Sequence, residues 1–264
     1  MPTVGELSAL YENFMLSPRS GPGVCVRCFN LTDGYDLCYA CTRCDGALDA
    51  VAPISYSVAH EQLHHALASY KRLSGEVARR LAVQLAAVLW RYLDGHEPCV
   101  ARAAGARSFP VVTAVPSGDR RRNDQHPLPS IVGELVAPTR DRYERLLHRS
   151  SVEVAPRSFD PRKYLAARRL AGEAILLIDD TWTTGANAQS AAAALKAAGA
   201  GPVASVVIGR HVNRDWHQND RRLRALHQAF DWSECALCAV SEGRSPAGSP
   251  NERTAPATPR RAPV

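Results

Sequence analysis

The chain has 264 residues, of which 45% are hydrophobic and 22% charged, which is enough apolar material for a core of ordinary size and excludes a disordered polymer. Lysine and arginine number 32 against 26 acidic residues, and all but Lys71, Lys163 and Lys196 are arginine, so an anionic partner is expected, either a phosphorylated small molecule or nucleic acid. No apolar run reaches the roughly 18 residues of a membrane span, and MPTVGELSAL lacks the basic-then-apolar order of a signal peptide. The expected location is therefore the cytoplasm, where the eight cysteines stay reduced and favour metal over disulfides.

Thr3 and Glu6 stand at capping-box spacing ahead of Leu7, Leu10, Tyr11 and Phe14, which predicts a helix over 3–16. Five cysteines follow between 25 and 44, spaced Cys25-x2-Cys28, nine residues, then Cys38-x2-Cys41-x2-Cys44. Two CxxC knuckles wrap a tetrahedral Zn2+ with four thiolates and leave no open position, so the expected zinc is structural. A redox CxxC would need only one pair. Cys25, Cys28, Cys38 and Cys41 are the first choice of ligands, with Cys44 able to replace Cys38. Cys235 and Cys238 form a further CxxC able to complete a site with Cys25 and Cys28, while Cys99 has no partner at ligand spacing and reads as an inert buried thiol.

The apolar period over 57–93 is helical and broken at Ser74 and Gly75, which predicts two helices. From residue 111 short β-branched runs alternate with helical stretches. Strands are predicted at 111–115, 151–155, 174–178 and 203–209, with helices at 128–147, broken at Pro138, and 188–198. That alternation implies a parallel sheet covered on both faces, with ligands at the carboxyl ends of the strands. The expected organisation is an N-terminal helix and zinc-ribbon-like knuckle over 1–50 and an α/β domain over 51–240, with a hood at about 51–108. A disordered tail is expected over 241–264, where large apolar side chains are almost absent.

The most informative segment is AILLIDDTWTTGAN, residues 174–187. A buried strand delivers Asp179 and Asp180 to its carboxyl end, and a Thr/Gly turn leads into a helix. Carboxylates accept hydrogen bonds from sugar hydroxyls, and a glycine turn at a helix N-terminus offers N–H groups to a phosphate. Together they suit a ribose 5-phosphate. An acidic strand end that merely caps a helix, or an acidic magnesium pocket, requires no Thr-Thr-Gly.

The segment resembles the phosphoribosyl pyrophosphate signature of type I phosphoribosyltransferases, departing from it at Thr181, Trp182 and Asn187. The resemblance implies a type I phosphoribosyltransferase fold, Mg2+ bound with phosphoribosyl pyrophosphate, Asp179 and Asp180 on the ribose hydroxyls, and Thr181, Thr183, Thr184, Gly185, Ala186 and Asn187 around the 5-phosphate. It also assigns the loop after the first core strand, with Pro116, Ser117, Gly118 and Arg120, to pyrophosphate. Between the later strands it places a mobile catalytic loop, from which Arg162 or Lys163 would reach the pyrophosphate.

An N-terminal CxxC...CxxC knuckle, Tyr70-Lys71, the Val-Pro loop and the Asp-Asp...Thr-Thr-Gly segment, in that order, resemble the ComF-type family associated with competence for DNA uptake. Where that family carries Arg-Gly-Phe-Asn-Gln this chain has Arg122-Asn-Asp-Gln-His-Pro127. Two functions follow from the resemblance. One is phosphoribosyl transfer to an unidentified acceptor. The other is a non-catalytic role in DNA uptake or nucleotide-responsive regulation, with nucleic acid as partner. His126 stands beside the basic loop, and His60 with His64 forms an i, i+4 pair without a third clustered ligand.

Overall fold

A computed structural model of the chain describes residues 2–44, 46–117, 126–226 and 229–238. Helix α1 (Val4–Glu12) starts on the anticipated capping box, with Glu6 N donating to Thr3 Oγ1 and Thr3 N to Glu6 Oε2. The short α2 (Tyr39–Thr42) carries the last knuckle cysteine, and β1 (Ala50–Val58), α3 (Gln62–Arg72) and α4 (Gly75–Ala103) follow. Next come β2 (Val111–Ala114), the short α5 (Leu128–Ser130), a π-helical turn (Ile131–Leu135) and α6 (Ala137–Arg140). The chain continues through β3 (Leu147–Arg149), β4 (Tyr164–Ala166), β5 (Ile175–Trp182), α7 (Ala186–Ala197), β6 (Val203–Val212) and α8 (Asn219–Ala225).

The main sheet has the order β1-β6-β5-β2, with every pairing parallel. Alternation along β5 sends its side chains to two cores. Leu176 and Ile178 pack with Leu85, Leu89 and Tyr92 of α4, whereas Ile175 and Leu177 pack with Ala188, Ala191 and Leu195 of α7. Helices therefore cover both faces, and the strand is apolar without interruption until Asp179. Gly209 on β6 lets α3 approach the sheet, because a Cβ there would lie 2.5 Å from Leu67 Cδ1 and 2.8 Å from Ser57 Cβ.

Four expectations need correction. Residues 50–58 are a strand of the sheet and no part of a hood. The signal is masked by Pro53, which β1 tolerates because it is the sheet edge, paired only with β6 among the described residues. Residues 151–155 form no strand; exposed or half-buried, they lie over no surface that would reward β-branched side chains. An antiparallel β3-β4 pair flanks them instead. The stretch 128–147 is three short helical turns and the start of β3, with Pro138 at the start of the third turn. Finally, α4 runs on to Ala103 through Pro98, beyond the anticipated end near 93. Residues 241–264, Gly118 and Arg120 lie outside the described residues. Among the described residues no helix is long and apolar enough to cross a membrane.

Candidate ligand cleft and metal centre

A cleft of about 700 Å³ opens at the carboxyl ends of β2, β5 and β6, roofed by the end of α3. It brings together Pro116, Ser117, Asp179, Asp180, Thr181, Thr183 and Asn187 from the expected site. Thr184, Gly185 and Ala186 form the turn that carries Thr183 and Asn187. Gly185 caps α7 at φ 79°, and a Cβ there would fall 2.1 Å from the buried Trp182 ring. Both the left-handed backbone and the indole therefore require glycine. Thr184 Oγ1 donates to the Arg157 carbonyl at 3.2 Å and accepts from Ala186 N at 3.3 Å, which fixes the turn.

Asp180 is the hub of the cleft. Its Oδ2 meets Lys71 Nζ at 2.6 Å, accepts a hydrogen bond from the Tyr70 hydroxyl, and lies 3.6 Å from His126 Nε2. Burial alone would raise this carboxyl, but Lys71 and His126 outweigh it and hold Asp180 below the ordinary carboxylate value. Asp179 moves the other way, pushed up to about 8 by burial and then by the negative charge of Asp180. The pair thus offers one acceptor and one protonated carboxyl at neutral pH. His126 accepts from Leu128 N through Nδ1, and burial lowers its affinity for a proton.

Among the described residues, two arginines add positive charge to the cleft. Arg72 and Arg157 line the cleft, and Arg157 sits at φ 61° in a turn. Arg162 instead forks onto Asp160. Lys163 is buried and donates to Asn187 Oδ1 at 2.6 Å, so it braces the turn. His64 and His211 also line the cleft with rings 5.2 Å apart, and burial lowers both. Tyr70-Lys71 carried a signal only as a dipeptide; its pairing with Asp180 spans 110 positions and no local spacing encodes it.

The knuckle forms a cluster in which the ligand atoms of Cys25, Cys28, Cys38 and Cys41 all lie within 4.8 Å of one another. All four are buried, and Cys28 Sγ is 3.6 Å from Cys38 Sγ. Hydrogen bonds shared among the four thiols push them in opposite directions, Cys25 down and Cys28 and Cys41 up, and the thiolate is the form that ligates metal. Cys44 stays outside the cluster; its carbonyl accepts from Arg27, which also bonds the Cys41 carbonyl. The donor set and its closure fit a four-coordinate metal ion.

Buried Arg210 joins the two sites. From β6 it donates to the Cys28 carbonyl and sulfur on one side and to the Trp182 and Thr183 carbonyls on the other. The knuckle and the ligand turn therefore share one guanidinium.

Cys235 and Cys238 do not join Cys25 and Cys28, and Cys99 is not isolated. These three cysteines gather with His96 at the far end of α4, because α4 continues past 93 and brings His96 and Cys99 to one face, one turn apart. A scan against protein-family models finds no match to this chain, and a search of the curated proteins finds none either.

Proposed function

We propose that the cleft binds Mg2+-phosphoribosyl pyrophosphate and that the chain is a type I phosphoribosyltransferase-like protein of the ComF type, with structural zinc on Cys25, Cys28, Cys38 and Cys41. The observation that carries this reading is the juxtaposition of the Asp179-Asp180 pair with the Gly185 turn at the N-terminus of the 12-residue α7. Backbone N–H groups of Thr183 to Asn187 would take the 5-phosphate. Asp180, oriented by Lys71 and Tyr70, would accept from a ribose hydroxyl, and protonated Asp179 would donate as well as accept.

Ser117, Arg72 and Arg157 would meet the pyrophosphate, whose departure places negative charge on their side of the cleft. In the transfer, an acceptor nucleophile bonds to the anomeric carbon as its bond to pyrophosphate breaks and the pyrophosphate takes the electron pair. The chain's contribution is positioning and electrostatic stabilisation. Bound Mg2+ supplies neutralisation of the leaving group. Because Asp180 is engaged by Lys71, the ion would take most of its oxygens from pyrophosphate and water.

A role in binding nucleic acid has less support. Arg142, Arg168 and Arg214 are each forked onto carboxylates, which withdraws them from phosphate contacts. Calorimetric titration of Mg2+-phosphoribosyl pyrophosphate into the wild-type protein and the Asp179→Asn/Asp180→Asn double variant tests the proposal. Saturable binding that the double variant loses is expected, and no heat from a folded wild type would refute it.

A further inference from the structure

We infer that His96, Cys99, Cys235 and Cys238 bind a second zinc ion, which clamps the segment 229–238 onto α4. Two CxxC-like pairs converge here from remote parts of the chain. His96 and Cys99 stand at i and i+3 on α4, and Cys235 and Cys238 bracket a turn. Their four ligand atoms lie within 4.8 Å of one another. Cys238 Sγ is the centre of the group, 3.2 Å from Cys99 Sγ, 3.1 Å from Cys235 Sγ and 3.5 Å from His96 Nδ1. No disulfide links these cysteines, and one disulfide would account for only two of the three sulfurs.

The surroundings are arranged as those of a metal site are. His96 is buried, and its Nε2 donates to the Trp232 carbonyl at 2.9 Å. That hydrogen bond fixes the tautomer and leaves the Nδ1 lone pair facing the sulfurs, the orientation a metal-bound histidine needs. Cys238 N donates to Cys235 Sγ at 3.3 Å, so a thiolate there already has a hydrogen bond from the chain. The buried Tyr92 ring packs 5.1 Å from the His96 ring and closes the site on the α4 side. Three thiols and one imidazole form a closed, soft donor set that suits Zn2+ and leaves no position for catalysis. Binding releases the three thiol protons to solvent, and the ion's two positive charges meet three thiolates and a neutral imidazole.

The clamp has a mechanical meaning. Trp232 lies between the two halves of the cluster's sequence, and its Nε1 donates to Glu12 of α1 at 2.6 Å while Arg91 of α4 stacks 4.5 Å over its ring. Holding Cys235 and Cys238 to α4 therefore also holds Trp232 between α1 and α4.

Metal analysis of the reduced wild-type protein is expected to give two zinc ions per chain, one for each cluster. Zinc X-ray absorption on the same sample should average the two shells, seven sulfurs and one nitrogen in total. Cys235→Ser/Cys238→Ser should lose one equivalent and the nitrogen, leaving an all-sulfur shell. Cys25→Ser/Cys28→Ser should keep the sulfur and nitrogen shell. One zinc per folded wild-type chain with sulfur ligands only would overturn the inference even if neither variant folds. Two zinc ions retained by Cys235→Ser/Cys238→Ser would overturn it as well.

Discussion

At the end of β5, Asp179 and Asp180 are pushed in opposite directions, because burial prevails at the first while Lys71 and His126 outweigh it at the second. Burial and the charge of Asp180 push Asp179 up to about 8, above the ordinary carboxylate range, so folding favours its protonated form. Its contribution to stability is full below the unfolded value and is lost as pH rises through the folded one. Asp179→Asn removes this loss. We predict that it melts above wild type, by a margin that grows between about pH 4 and about pH 8 and is constant above that. A margin independent of pH, measured by differential scanning calorimetry, would count against the assignment. Residue identity made these acids visible in the sequence, since an uninterrupted apolar strand ending in two carboxylates is a local pattern. Their inequality was not visible, because the cation that creates it comes from α3.

Among the elements, β6 does more than fill the sheet. Arg210 hydrogen-bonds both the knuckle and the turn after β5 while fully buried, so its removal strands several carbonyls at once. Arg210→Met is predicted to destabilise the fold by about 3 kcal/mol and to speed zinc loss to a chelator. Unchanged chemical denaturation and unchanged release, followed with a chromogenic zinc indicator, would show that the two sites are independent. The elements themselves were unequally legible. β5, β6 and α7 announce themselves through apolar runs and glycine stops, whereas β1 hides behind Pro53. Residues 151–155 look like a strand because propensity reports side-chain type and not the presence of a partner. The knuckle cysteines were legible as close CxxC pairs; the His96 cluster was not, since helix α4 and a segment more than a hundred residues away assemble it.

At the scale of the molecule, a parallel sheet with helices on both faces sets its strand ends around one cleft, and the knuckle is fastened beside that cleft through Arg210. We propose that this cleft holds a phosphorylated ribose in one orientation. The most direct test is a crystal structure of the protein with Mg2+-phosphoribosyl pyrophosphate. The ribose hydroxyls are expected against Asp179 and Asp180, the 5-phosphate on the N–H groups of Thr183 to Asn187, and the pyrophosphate toward Ser117, Arg72 and Arg157. Ligand density elsewhere on the surface, or an empty cleft at saturating ligand, would contradict it.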